Sequence, residues 1–325
     1  MKNELYYLII GAGGTGGITG AVMSHAGKDV TLIARNRHLE EIRQHGLTVR
    51  HLWDHTEQTI PVRACSMEEY ASYDGRIPDV VLVCVKGYSL NSIIPFLRQI
   101  TDSHTIVIPV LNLYGTGEKL QKLLPEPRVM DGCIYVSSAI LSPGILVQHG
   151  PIYRIVFGPR DHQTEDSLLQ KIASDFCDSG ISGELSASIQ KDALIKFSYV
   201  SPIGAAGLYL EATAGDFQKE GPARELFKTM TGEISALAGA MGYPFEKDYV
   251  FVNLDILSYL SPDATTSMQR DIMEKKDSEI DGLVFEVIRL GRKYNVPTPA
   301  YETVAEHLSL KIFNCPLSDM LSEES

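Results

Sequence analysis

The sequence shows no apolar run approaching the roughly 20 residues needed to cross a bilayer. It has no small-residue cleavage site after its opening segment, "MKNELYYLII", and no pair of cysteines at C-x-x-C spacing. The first absence predicts no association with a membrane, and the second predicts no secretory signal peptide. The five cysteines, Cys65, Cys84, Cys133, Cys177 and Cys315, are scattered and odd in number. That pattern argues against a disulfide framework or a zinc cage, and fits reduced thiols in a cytoplasmic enzyme. Positive charge is also short, with 29 Lys and Arg against 41 Asp and Glu and a formal net charge of −12. Nucleic acid is therefore excluded as the main partner, although a local basic pocket for a small anion remains open. None of the nine histidines has ligand spacing, so no metal site is expected. There is no internal repeat and no low-complexity segment, and the last residues, "SDMLSEES", are expected to fray.

What the chain does have begins at residues 7–17, "YLIIGAGGTGG", where five glycines follow four residues that read as a buried strand. Gly11, Gly13 and Gly16 stand at G-x-G-x-x-G spacing, and "ITGAVMSHAG" after them is helix-like. The physical reading is a dinucleotide loop. Gly11 permits the turn, Gly13 lets a pyrophosphate approach the backbone, and Gly16 lets the helix pack on the strand. The amides from Gly14 onward would face the anion at the helix N-terminus. Any tight strand-to-helix turn could carry the same spacing, but the flanking strand, the helix and the position near the chain start favour the dinucleotide.

Past this loop, short β-rich runs alternate with helical patterns. "DVTLIA" (29–34) reads as a strand and "NRHLEEIRQHG" (36–46) as a helix closed by glycine. "DVVLVCV" (79–85) and "TIVIPVL" (105–111) are continuous apolar runs, as expected of parallel strands covered on both faces. "RVMDGCIYVSSAIL", "ILVQHG", "YRIVFG" and finally "ISGELSAS" (181–188) add later strands. The alternation predicts an α/β fold, a Rossmann-type doubly wound parallel sheet. From about residue 188 the chain turns helical, over 188–210, about 218–241 and from near 279. The expected domains are 1–186, binding the nucleotide, and 187–325, all-helical, and 325 residues suffice for two.

The second strand ends "LIARNR", with no acidic residue at its tip to bind the ribose hydroxyls of NAD. Arg35 and Arg37 stand there instead, and a guanidinium suits the 2′-phosphate of NADP. Two solvated arginines would be the bland alternative. Lys86 and Asn112 directly follow the third and fourth apolar strands, where open α/β sheets bind ligands; each alone could be an ordinary loop residue. In residues 194–210 the only charge is Lys196. Flanked by Ile195 and Phe197, it is either desolvated and useful for proton transfer or a snorkelling lysine with a wet head. "SEID" (278–281) reads as a capping box, Ser278 capping and Asp281 reaching back, which places Glu279 in a first helical turn. Ser267 would lie ~18 Å from Glu279 in one straight helix, so a break at "KKDS" (275–278) is expected.

Together these stretches resemble the ketopantoate reductases (2-dehydropantoate 2-reductases) over nearly the whole chain. "IIGAGGTGG", "LIARNRHLEEIRQHGLTV", "VCVKGYSL", "LNLYGTGEKL", "DGCIYVSSAILSPGILVQHG", "ALIKF" and "TTSMQRDIMEKKDSEID" follow the family's order. The resemblance implies a Rossmann domain followed by a helical domain like that of 6-phosphogluconate dehydrogenase. Lys196 matches the catalytic lysine, Glu279 the active-site glutamate and Ser267 the serine for the substrate carboxylate. Asn112 matches the asparagine near the nicotinamide and the lysine, while Arg35 and Lys86 match the 2′-phosphate contacts. The implied activity is NADPH-dependent reduction of a 2-oxo acid, 2-dehydropantoate to pantoate on the route to coenzyme A. Substrate and nicotinamide would meet between the two domains. A related hydroxy-acid, opine or imine dehydrogenase and a non-catalytic NADP-binding regulator are the alternatives, and a homodimer stays open. The chain departs from the family at Leu113, where a glycine is usual, and at Val200, Gly204, Val284 and Phe285, where polar residues or glycine are often found. Several positions around the substrate are thus less polar than expected.

Overall fold

The computed structural model describes residues 4–72 and 76–321. Its contacts divide the chain into two compact units, Met1–Leu111 with Gly115–Ile189, and Asn112–Tyr114 with Gln190–Ser325.

The first unit opens with β1 (Tyr6–Ile10), α1 (Gly14–His25), β2 (Asp29–Ile33) and α2 (Asn36–His45). Next come β3 (Leu47–His51), β4 (Thr56–Ile60), β5 (Arg63–Cys65) and α3 (Met67–Ser72). β6 (Val80–Val83), α4 (Ile94–Ile100), β7 (Ile106–Pro109), α5 (Thr116–Leu123) and β8 (Arg128–Val129) complete the alternation. The unit closes with β9 (Asp131–Tyr135), β10 (Ser138–Ser142), β11 (Ile145–Gln148), β12 (Arg154–Gly158), α6 (Ser167–Asp178) and β13 (Ser182–Leu185).

The main sheet has six parallel strands in the order β5-β2-β1-β6-β7-β8. Every residue of β1, β6 and β7 is buried, which is why those strands read as unbroken apolar runs. The strand order reverses at β1, whose neighbours are β2 and β6, and ligands bind in such sheets at the carboxyl ends beside that reversal. The doubly wound parallel sheet expected from sequence is present, but of the later strands only β8 extends it. β10 and β11 join a β3–β4 hairpin in a four-stranded sheet, and β9, β12 and β13 form a third. β4, "TEQTI", is exposed at four of its five positions and carries no apolar alternation to announce a strand.

Helix α1 lies between two of these sheets. A Cβ on Gly20 would come within 2.4 Å of Leu32 on β2, and one on Gly17 within 2.7 Å of Leu146 on β11. Both faces are pressed closely, so small residues replace the one-sided apolar stripe of an ordinary surface helix. Beneath β1, the carboxylate of Asp175 on α6 is 2% exposed and accepts from Tyr7 Oη and Lys28 Nζ at 2.7 Å and from Lys171 Nζ at 2.5 Å.

The second unit is helical, with α7 (Ile189–Leu210), α8 (Ala214–Gln218), α9 (Pro222–Ala240) and α10 (Tyr249–Ser258). α11 (Ser267–Met273), a wide π turn at Asp281–Phe285, α12 (Glu286–Tyr294) and α13 (Pro299–Leu308) follow. A second π turn spans Ser309–Phe313, and α14 (Leu317–Met320) ends the described chain with Leu321 buried. The fraying expected of "SDMLSEES" therefore does not hold for residues 318–321, and 322–325 lie outside the described residues.

Helix α7 also corrects the expectation about apolar length. Its 22 residues are long and apolar enough to cross a membrane, yet 67% of the apolar stretch is buried, as in the central helix of a folded core. Pro202 inside α7 cannot donate to the Ser198 carbonyl. That oxygen accepts instead from Asn253 Nδ2 on α10 at 3.0 Å and Thr231 Oγ1 on α9 at 3.3 Å. Three helices are thereby fastened at one point, two residues beyond Lys196.

Candidate active site

In the first unit the glycine loop has the geometry its spacing predicts. Gly11 has φ +101°, a conformation open to glycine, and a Cβ there would lie 2.9 Å from the Cys84 carbonyl oxygen. The turn after β1 thus rests on the turn after β6. A Cβ on Gly16 would fall 2.0 Å from the Gly11 carbonyl oxygen, so α1 packs against the turn only without a side chain. Gly13 is the opposite case: a Cβ there meets nothing within 4 Å. Open space above Gly13, at the N-terminus of a 12-residue helix, fits a pyrophosphate. Gly14 faces the other way, where a Cβ would lie 2.7 Å from the Ser138 carbonyl oxygen of β10.

Arg35 follows β2 and precedes α2, with its side chain exposed. It makes no ion pair among the described residues, whereas Arg37 reaches Glu41 at 3.8 Å. Lys86 is half-buried just past the carboxyl end of β6, where a short 3-10 turn begins. All three basic residues sit beyond the carboxyl ends of strands at or next to the order reversal.

The second unit gathers the candidate chemical groups. Lys196, on the second turn of α7, is only 8% exposed, and its Nζ donates to Asn112 Oδ1 at 2.7 Å. A side chain this buried, with its Nζ held by an amide, speaks against a lysine that only snorkels. Asn112 follows β7 in the chain but belongs by its contacts with the helices. Its neighbours explain the placement. A Cβ on Gly282 would lie 2.8 Å from Leu113 Cδ2, so the glycine clears the room that the leucine fills. Tyr114 packs on Phe197 with ring centroids 6.3 Å apart.

Ser267 is the first residue of α11. Thr266 before it caps the helix, in a reciprocal box with Gln269 that the sequence "TTSMQ" announces and that the capping reading passed over. Gln269 Nε2 also donates to the Ala212 carbonyl at 2.8 Å, filling the space beside Gly207. A Cβ on Gly204 would meet Met268 Cε at 2.7 Å, which brings the start of α11 against α7 two turns after Lys196. Lys196 and Gly204 are then ~12 Å apart along the helix.

Glu279 is 6% exposed and precedes the π turn, its carbonyl accepting from Leu283 N at 3.0 Å. The expected capping box of Ser278 and Asp281 does not form. Asp281 turns instead to Arg289, eight residues further on, at 2.5 Å. The break expected at 275–278 comes slightly earlier, α11 stopping at Met273 with Lys275 at φ 55°. Val284 and Phe285 are fully buried in the apolar core of this unit. Pi turns of this kind are concentrated at functional sites, and Ser201 Oγ on α7 anchors this one through the Leu283 carbonyl at 2.5 Å.

Among the described residues no cluster of His, Cys, Asp and Glu could hold a metal. The five cysteines are free, and burial pushes the Cys84 thiol up to about 12. The groups left to do chemistry are an amine held by an amide, a buried carboxylate and a hydroxyl at a helix start.

Comparison with known proteins agrees with this arrangement. The family pattern described as "Ketopantoate reductase PanE/ApbA" matches residues 7–162, and "Ketopantoate reductase PanE/ApbA C terminal" matches residues 188–311. The 2-dehydropantoate 2-reductase of Aquifex aeolicus is 25% identical over 95% of this chain and 97% of its own length. Two solved structures share the fold at a TM-score of 0.83. One is 2-dehydropantoate 2-reductase from Methylococcus capsulatus, 21% identical and covered over 98% of this chain and 99% of that one. The other is D-mandelate dehydrogenase with NADH and anilino(oxo)acetate, 19% identical over 96% and 99%. With both family patterns matched in order across most of its length, and with the two-unit fold they share, the chain belongs to the ketopantoate reductase family of NAD(P)H-dependent oxidoreductases.

Proposed function

We propose that the chain reduces a 2-oxo acid to the 2-hydroxy acid with NADPH, 2-dehydropantoate to pantoate being the first reaction to test. The observation that supports this most is the buried Lys196 ammonium held at 2.7 Å by Asn112. Bound NADPH supplies the hydride that reaches the keto carbon. Lys196 Nζ gives a proton to the oxygen as it becomes an alkoxide, general acid catalysis typically worth ~10²–10⁴-fold. Asn112 aims that amine, Ser267 receives the substrate carboxylate at the start of α11, and Glu279 hydrogen-bonds the substrate oxygen and favours the protonated lysine. Lys196 is then recharged from solvent, and the hydroxy acid leaves.

NADPH is preferred over NADH in this reading because Arg35 and Arg37, rather than an acid, follow β2. The fold alone does not choose, since the mandelate dehydrogenase of the same fold was solved with NADH. A second reading keeps the reaction and changes the substrate. Leu113 follows Asn112 directly, where an apolar side chain favours an apolar 2-oxo acid such as phenylglyoxylate.

The test is a panel of 2-oxo acids, including 2-dehydropantoate and phenylglyoxylate, assayed with NADPH and with NADH at the reduced-nicotinamide absorbance. Turnover that favours NADPH supports the proposal. Binding of NADPH with no turnover of any 2-oxo acid would favour the regulator and refute it.

A further inference from the structure

Residue 38 occupies a place that the reading of the histidines as lacking ligand spacing does not account for. His38 Nε2 lies 2.8 Å from the carbonyl oxygen of Ala12, inside the glycine loop. Its Nδ1 accepts from the backbone N–H of Gly144 at 2.9 Å, in the turn between β10 and β11. The Gly144 amide is only a donor, so Nδ1 must be bare and Nε2 must carry the proton that goes to Ala12. One state of the ring satisfies both contacts, the neutral Nε2–H tautomer. The imidazolium would set an N–H against the Gly144 N–H.

Three elements meet at this ring. Gly144 has φ +75°, and a Cβ there would lie 2.9 Å from Glu41 Cβ, so the β10–β11 turn is pressed onto α2. The same strand pair presses on the loop through Ser138 beside Gly14. Arg35, the candidate 2′-phosphate contact, precedes α2 by one residue and His38 by three. The group that would read the phosphate and the group that holds the loop thus flank and share the first turn of one short helix.

We propose that neutral His38 is a positioning residue for the dinucleotide, clamping the Ala12 carbonyl so that the space over Gly13 stays open, and that protonation of His38 releases the clamp and weakens binding. The inference rests on the reading of the glycine loop as the dinucleotide site. Burial holds His38 below the ordinary histidine value of 6.5, with the Ala12 carbonyl opposing in part. The ring is therefore neutral at pH 7, and the clamp fails only as pH falls through this lowered value. The charged and titratable groups around it are Arg35 before α2 and Arg37, Glu40, Glu41, Arg43 and His45 on it, Arg43 being held by Glu69. The loop residues 11–17 and the strand pair 138–148 carry none. Glu41 is engaged by Arg37 at 3.8 Å and His45 at 3.1 Å.

The experiment titrates NADPH and NADH by nicotinamide fluorescence against wild type, His38→Gln and His38→Phe between pH 5.5 and 8. Glutamine keeps a donor for Ala12 and does not titrate. His38→Phe should lose about 5–30-fold in affinity for both cofactors at pH 7.5, the worth of two ordinary hydrogen bonds. His38→Gln should recover most of that loss. The 2′-phosphate of NADPH ionises in the same window, so NADH carries the pH arm: wild-type affinity should fall toward the acid end of the range and that of His38→Gln should stay flat. Wild-type protein that binds neither cofactor at any pH overturns the dinucleotide reading and this proposal with it. Wild-type binding that His38→Phe leaves unchanged, or a pH dependence that His38→Gln retains, overturns the proposal alone.

Discussion

Lys196 and Asn112 are separated by 84 residues and joined by one hydrogen bond of 2.7 Å. The bond gives a buried amine an uncharged acceptor that orients Nζ. It also explains why three residues that follow a strand of the first unit group with the helices of the second. Leu113 against Gly282 and Tyr114 against Phe197 lock the segment from the far side. Asn112 is thus supported by packing as well as by its partner, as a group that aims a proton donor needs to be.

Two adjacent glycines make opposite predictions. Gly13→Val adds a side chain into open space and should leave the protein folded, while NADPH binding is lost because the pyrophosphate's place is taken. Gly14→Val drives a side chain into the backbone of β10 and should lower the melting temperature as well. Differential scanning calorimetry paired with NADPH titration reads both effects. A folded Gly13→Val protein with wild-type affinity would remove the loop from the cofactor site.

Arg35 tests cofactor choice. A charge-assisted hydrogen bond is worth ~1.5–3 kcal/mol, so Arg35→Ala should weaken NADPH by roughly 10–100-fold and leave NADH nearly unchanged. Equal losses for the two cofactors, measured by KM or by titration, would assign Arg35 to structure instead.

Asp175 makes a prediction about acid stability. Burial pushes its carboxyl up, but Lys171, Lys28 and Tyr7 outweigh burial and hold it below the ordinary value of 3.8. A depressed carboxylate contributes stability above its unfolded value, and the contribution disappears as pH falls through the folded one. Asp175→Asn should therefore cost roughly 2–3 kcal/mol at pH 7, with the gap from wild type narrowing below about pH 4. Urea unfolding at pH 7 and at pH 3 measures it. A gap that does not change with pH would mean that the charge of Asp175 is not what stabilises β1 on α6.

Much of this was legible in the sequence where one residue type had no substitute. Gly11 and Gly16 sit where a side chain would strike backbone, and Lys196 is the lone charge in the apolar stretch 194–210. What was not legible depends on partners far away in the chain. The second sheet pairs β3 with β11, nearly a hundred positions later, and its exposed strand β4 has no alternation to read. Asp281 passed as a cap until Arg289 was seen to hold it, since a carboxylate three residues after a serine looks the same in both settings. Leu113, a departure from the family, gains its physical account only with Gly282 beside it. Pro202 announces a free carbonyl at Ser198, but nothing local says that Asn253 and Thr231 will take it.

As general acid, Lys196 would deliver the proton while other residues of the chain hold the cofactor. The most direct measurement is the kcat of Lys196→Ala on the best 2-oxo acid found, together with its NADPH dissociation constant. Loss of a general acid predicts a kcat lower by ~10²–10⁴, with NADPH affinity within a few-fold of wild type. A folded Lys196→Ala enzyme that turns over at the wild-type rate would contradict the account.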